Sequence, residues 1–320
     1  LKVVTVTLNP ALDRQFIIEE FSTNAYHRIK DHKHMVMSPG GKGINVSMAL
    51  ARLGVSSIAI GILGGYTGRV LLTELNKVSP LISTSFVHIE EETRENIVIV
   101  DPVNHTMTSI DSPGPRVERK AIELLMKRYE IYLSRVEAVV LSGSLPQGLT
   151  GEIYGKMAKM ARERGKTVFF DMIDEYLTPA LEICVPDVVK PDVRGSVTVL
   201  GERLEKLEDY VDAAVRLVKK GCKLVVISYE VKNDVVATQD GVWLISTPEE
   251  VEPETILGAG DAYVAAMVYK RLTDRSANML DVAKFGYAAA LAKTRKLTKE
   301  MPTYDEINEA LGLCTLERLR

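Results

Sequence analysis

Short β-branched runs alternate, almost from end to end, with longer runs whose apolar residues recur at three- and four-residue spacing. That order is the signature of βα units around a mostly parallel sheet, so the α/β class is predicted. VVTVT at 3–7 reads as the first strand. The helix after Gly43 carries Val46, Ala49, Leu50 and Leu53 on one face and is stopped by Gly54. A strand over 57–63 leads through GGYTG into a helix bearing Val70, Leu71, Leu75 and Val78. The rhythm continues with a helix over 117–133 and a strand over 138–141 that stops at SGSLPQG. Next come a helix closing at Gly165, strands at 168–170 and 187–189, and a helix over 211–220 stopped by Gly221. A strand over 224–227, a hairpin VVAT-QDG-VWLI, a helix over 262–271 and two further helices complete the chain.

Two segments, 14–37 and 85–110, break this rhythm with strand-like alternation and turns but no helix. They predict a small β-layer inserted into a core made of 1–13, 38–84 and 111–320. All five histidines fall in or beside these segments. His32 and His34 would share a strand face at period 2, but no cysteine or third spaced ligand completes a set, and no metal site is predicted.

Composition narrows the class of partner. The 320 residues suggest about two domains, or one large one with an insertion. With 46% hydrophobic and 26% charged residues the chain can build a full core, which excludes general disorder. Lys plus Arg number 40 against 43 Asp plus Glu, and this near balance argues against nucleic acid or an acidic membrane as the main partner and for a small molecule. Cys184, Cys222 and Cys314 are far apart and form no CxxC pair, as expected of a reducing compartment without a disulfide framework. The stretch 53–68 is free of charge until its end but broken by Gly54, Gly61, Gly64 and Gly65, so it is no spanning helix. LKVVTVTLNP lacks the apolar core of a secretory signal, and a cytoplasmic protein is expected.

Chemistry concentrates at two glycine turns. In LGAGD, Gly258, Ala259 and Gly260 precede a helix, where small residues let backbone N–H groups converge on an anion at the positive helix end. Asp261 beside them is suited to take a proton from a hydroxyl, although taken alone it reads more readily as an ordinary N-cap after a glycine turn. SPGGKGINV at 38–46 is a second such turn. It matches neither the P-loop pattern nor GxGxxG, and without GxGxxG after the first strand a dinucleotide-dependent oxidoreductase is disfavoured. Asp13 lies just past the first strand, at the edge where open α/β sheets bind ligands, though a lone aspartate there is also ordinary turn chemistry.

Together these pieces resemble the PfkB family of carbohydrate kinases, which share the ribokinase fold, and most closely its phosphosugar branch. The points of resemblance are TVTLNPALD (5–13), PGGKGINV (39–46), ALARLG (49–54), LGGYTG (63–68), EETR (91–94), PGP (113–115), LSGSLPQG (141–148), KP (190–191) and LGAGDA (257–262). The resemblance implies a ribokinase-like α/β fold, with a mostly parallel central sheet flanked by helices and a small inserted β-sheet acting as lid and dimer clasp. It implies transfer from ATP, with Mg²⁺ accompanying the nucleotide, to a sugar-phosphate hydroxyl. Fructose 1-phosphate is the leading acceptor; tagatose 6-phosphate and fructose 6-phosphate are alternatives, and a sugar-phosphate-binding regulator without catalysis is a different class. Asp261 would be the base and the Gly258, Ala259 and Gly260 amides the anion hole. Asp13, Gly41, Lys42 and Asn45 would hold the sugar, with Lys42, Arg94, Arg28 and Ser144 on its existing phosphate. Lys190 and Ser228 would lie toward the nucleotide.

The nucleotide half departs from the family pattern. KPNxxE is replaced by Lys190, Pro191, Asp192, Val193, Arg194, Gly195, without the glutamate. SxGxxG is replaced by a 228–234 loop with Glu230 at its first glycine position, where a carboxylate facing triphosphate would repel it unless it points to solvent or reaches a metal. Asn233 is expected to supply the positive φ of the second glycine. Ile256 stands for a threonine, and Asp171, Met172, Ile173, Asp174 for DTSG. A weakened or altered donor site is therefore expected beside an intact sugar half.

Overall fold

The computed structural model describes residues 2–29 and 31–320. A 10-stranded sheet runs in the order Thr315–Arg318, Gly241–Ser246, Asn233–Thr238, Leu224–Tyr229, Val188–Val189, Thr167–Asp171, Ala138–Ser142, Val3–Thr7, Ser57–Gly64, Ile82–Ile89. Strands from Leu224–Tyr229 to Ile82–Ile89 are parallel, and the three beyond Leu224–Tyr229 extend the sheet antiparallel. Side chains alternate across each strand, so Ala138 and Val140 pack with helices Lys42–Arg52, Ala259–Thr273 and Met279–Lys293. Val139 and Leu141 pack instead with Arg119–Leu133, Glu152–Glu163 and Leu207–Lys220. Burial on both faces is why VVTVT and AVVLS read as nearly unbroken apolar runs.

Topology opens the binding crevice. From Val3–Thr7 the chain adds Ser57–Gly64 and Ile82–Ile89 on one side, then crosses to Ala138–Ser142 on the other. The order reverses between Val3–Thr7 and Ala138–Ser142, and ligands in open α/β sheets lie at the carboxyl ends of strands beside such a reversal.

A separate 4-stranded sheet covers this end in the order Met35–Gly40, Ala11–Ile17, Arg94–Asp101, Thr106–Asp111. It is the inserted β-layer, with different limits. Residues 85–89, expected in the insertion, belong to the main sheet, where Ile82–Ile89 pairs along its length with Ser57–Gly64. An edge strand is half-buried, so its alternation looks like that of a lid strand. The small sheet also takes in Ala11–Asp13, Ser38–Gly40 and Asp111, which were expected in the core. His32 and His34 lie in an exposed 3₁₀ turn, not on one strand face. The terminal strand Thr315–Arg318 was not anticipated, because its exposed TLER has no buried face to show a pattern. Among the described residues no helix is long and apolar enough to cross a membrane.

Candidate active site

The two glycine turns meet. Gly258 caps Ala259–Thr273 at φ +85°, a left-handed conformation that a Cβ would strain. Gly41 caps Lys42–Arg52 at φ +104°, where a Cβ would lie 2.5 Å from Thr7 Cγ2. Asn45, in the first turn of Lys42–Arg52, donates from Nδ2 to Asp261 Oδ2 at 2.7 Å. The other oxygen, Asp261 Oδ1, is buried without a hydrogen-bond partner among the described residues. The Ala259 amide closes the turn on Ile256 O at 3.0 Å, so it points away from any anion, contrary to expectation. Among the described residues the amides of Gly260 and Asp261 make no backbone hydrogen bond, as at any helix start.

Asp261 opens onto a cavity of about 510 Å³ shared by the main sheet and the small one. Asp13, Gly41, Lys42, Asn45, Arg94 and Ser144 all line it. Asp13 Oδ1 accepts from Asn96 Nδ2 at 2.9 Å, and its Oδ2 accepts from Lys299, whose ammonium also reaches Asn45 Oδ1 at 3.4 Å. Asp13, Lys299, Asn45 and Asp261 thus form one continuous polar chain. The Arg94 guanidinium donates to Asn9 O at 3.1 and 3.3 Å, Ser112 O at 3.2 Å and Ser144 Oγ at 3.2 Å. These partners are neutral, and no carboxylate among the described residues bonds the guanidinium directly, which leaves it able to take an anion. Burial lowers the pKa of Arg94, although Asp111 and Asp13 oppose the shift.

Lys42 is placed differently from the phosphate role expected of it. Its ammonium lies 3.0 Å from Asp171 Oδ1 and 3.0 Å from Asp192 Oδ2, while Arg94 keeps its own cluster. Burial opposes the Lys42 charge, but Asp171 and Asp192 outweigh it and its pKa is raised. Burial also pushes the Asp171 carboxyl up against the pull of Lys42. For Asp192 the effect of burial is overcome by Lys42 and by hydrogen bonds from Arg194, so its pKa falls. Arg194 grips Asp192 with two bonds, Nε to Oδ1 at 3.0 Å and Nη2 to Oδ2 at 2.8 Å. Asp192, where the family has asparagine, thereby ties two cations together.

Lys42, Asp192 and Arg194 also line a second, more apolar cavity of about 320 Å³. Its walls include Val193, Val197, Ile256 and Leu291, and its polar edge Lys190 and Ser228. Lys190 donates to Ser228 Oγ at 3.3 Å and sits 5.6 Å from the Tyr263 ring centroid, a cation–π distance. Glu230 takes the positive φ itself, at +60°, where Asn233 was expected to. Asn233 instead donates to Glu230 Oε2 at 3.0 Å and holds the exposed carboxylate at the rim.

One expected residue stays away: Arg28 is exposed on the 18–31 connection and lines neither cavity. Sequence reasoning missed Asn96, Lys299 and Arg194. Asn96 was findable, since it lies two positions after Arg94 on the same strand face and in register with Asp13. Lys299 comes from an irregular loop after Met279–Lys293 and carries no sequence signal.

The family model described as pfkB family carbohydrate kinase matches residues 12–303. The chain is 30% identical over 321 residues to a 1-phosphofructokinase of Bacillus subtilis (strain 168), covering 99% of this chain and 100% of that protein. Its structure is similar to that of a possible 1-phosphofructokinase from Thermotoga maritima, with TM-score 0.96, 49% identity and 100% of both chains covered. It is also similar to phosphofructokinase-2 from Escherichia coli in complex with fructose-6-phosphate, with TM-score 0.81, 26% identity and 98% of both chains covered. With the buried Asp261 carboxylate at the start of helix Ala259–Thr273 beside two cavities, and a family match over nearly its whole length, the chain belongs to the PfkB family of carbohydrate kinases and has their ribokinase-like fold.

Proposed function

We propose that this sugar kinase transfers the terminal phosphoryl group of Mg·ATP to the free primary hydroxyl of fructose 1-phosphate, giving fructose 1,6-bisphosphate and ADP. The observation that carries the reading is Asp261 Oδ1, buried and unpartnered among the described residues at a cavity that also holds the guanidinium of Arg94, whose hydrogen bonds all go to neutral groups. The acceptor's name is supported by the relatives called 1-phosphofructokinase.

In this reading Arg94 and Ser144 bind the phosphate already on the sugar. Binding energy from that remote group holds the reacting hydroxyl near Asp261. Asp261 Oδ1 takes the hydroxyl proton as the sugar oxygen bonds to phosphorus and the bond from phosphorus to the bridging oxygen breaks, its electron pair leaving on ADP. Asn45 donates to Oδ2 and orients the carboxylate. The Gly260 and Asp261 amides face the charge on the transferred group. Lys190 and Ser228 lie along the nucleotide phosphates, and the apolar walls suit a base. Mg²⁺ belongs to the nucleotide substrate: Asp171 and Asp192 are already paired with Lys42 and Arg194, and Mg²⁺ commonly rides on substrate phosphates.

The small sheet would also join two copies of the chain. Its outer face carries Phe16, Met35, Met37, Ile97, Ile99 and Ile110 in neighbouring register, with Ile110 54% and Met35 48% exposed. An apolar patch of this kind on a sheet face fits a homodimer clasp. The free cysteines fit a reducing cytoplasm.

ADP release from Mg·ATP, measured with fructose 1-phosphate, fructose 6-phosphate, tagatose 6-phosphate and free fructose, tests the reading. Turnover with fructose 1-phosphate is expected. Turnover only with a 6-phosphate reassigns the acceptor, and silence with phosphosugar still bound leaves a regulator instead of a kinase.

A further inference from the structure

Lys293, the last residue of helix Met279–Lys293, is entirely buried, yet no carboxylate pairs with it among the described residues. Its ammonium instead donates to two backbone oxygens, Thr255 O at 3.2 Å and Lys296 O at 3.0 Å. Its Cε lies 3.7 Å from where a Cβ on Gly258 would stand. An ammonium buried without a carboxylate is costly, and two neutral carbonyls offset that cost only in part. Its place beneath the turn that presents the Gly260 and Asp261 amides supplies a reason to retain it.

We infer that Lys293 is a positioning residue for phosphoryl transfer. Its charge binds Thr255 O, at the entry to the Gly258 turn, so that the amides at the start of Ala259–Thr273 face the transferred group. The groups facing it are Lys296 and Lys299, which repel it, and Asp261 and Glu300, which attract it. Burial first and these lysines second hold its pKa down to about 8. The ammonium is therefore present at neutral pH and lost as pH rises through that value.

The inference rests on the kinase reading, which wild-type turnover tests first. Wild-type kcat should fall above about pH 8. Lys293→Met should lower kcat roughly 10- to 100-fold at pH 7 with little change in the KM of the phosphosugar. The alkaline limb should disappear in this variant, and added methylammonium chloride should restore part of the rate. Lys296→Gln removes a repelling charge but keeps the carbonyl, so the limb should move to higher pH; this variant decides the matter if Lys293→Met does not fold. A flat wild-type profile to pH 9.5, an unshifted limb in Lys296→Gln, or a Lys293→Met enzyme with wild-type kcat overturns the inference. If no phosphosugar turns over, calorimetry with Mg·AMP-PNP replaces kcat. Lys293→Met should then bind more weakly than wild type at pH 7 and equally at pH 9.5, and equal binding at both overturns the inference.

Discussion

Replacing Lys42 with methionine tests the junction between the cavities most directly. The substitution keeps the length of the stem and removes a charge 3.0 Å from both Asp171 and Asp192. Asp192 retains Arg194, but the Asp171 side chain, only 1% exposed, loses its ion-pair partner. Breaking a buried pair from one side costs about 3 to 5 kcal/mol, and the neighbouring charge of Lys190 favours the lower end. The loss should depend on pH with a definite sign. Burial raises the folded pKa of Asp171, so an unpaired carboxylate destabilises the fold above that pKa and is relieved as protons bind below it. Urea unfolding followed by circular dichroism should therefore show a larger loss at pH 8 than at pH 5. Lys42→Met with Asp171→Asn should recover most of the loss at pH 8, because the buried charge is gone. A loss equal at both pH values, or a double variant no more stable than the single one, would refute the account.

Asp261→Asn keeps the shape and the contact with Asn45 but removes the proton acceptor. It should lower kcat by about 10² to 10⁴ with the KM of the sugar phosphate nearly unchanged, as steady-state kinetics would show, and a near-wild-type rate moves the base elsewhere. Arg94→Ala should act mainly on KM for phosphorylated acceptors, weakening them by roughly 1.5 to 3 kcal/mol. An unchanged KM would detach Arg94 from the phosphate. Ile110→Lys places a charge on the outer face of the small sheet, and sedimentation velocity should show a dimer for the wild type and a monomer for the variant. A wild-type monomer would remove the clasp.

Much of the fold was legible because its signals are local. VVTVT, the 46–49–50–53 stripe and the stop at Gly54 follow from side-chain periods of 2.0 and 3.6, which short windows display. The glycine turns at 41 and 258 were visible for the same reason, since their positive φ is a property of one residue. Legibility failed where environment outweighed pattern. Residues 85–89 alternate like a lid strand but pair with Ser57–Gly64, and the exposed Thr315–Arg318 has no face to bury.

By itself, then, the sequence determined the order of elements and the kinase motifs, and it singled out Asp261 as the candidate base. Tertiary structure alone decided the electrostatics. It turned Lys42 toward Asp171 and Asp192, left Arg94 among neutral partners, brought Lys299 to Asp13 across 286 positions of chain, and sealed Lys293 beneath Gly258. Periodicity is set by each residue's own backbone geometry, whereas the energy of a charge depends on which distant groups share its dielectric surroundings, and only the closed fold brings those together.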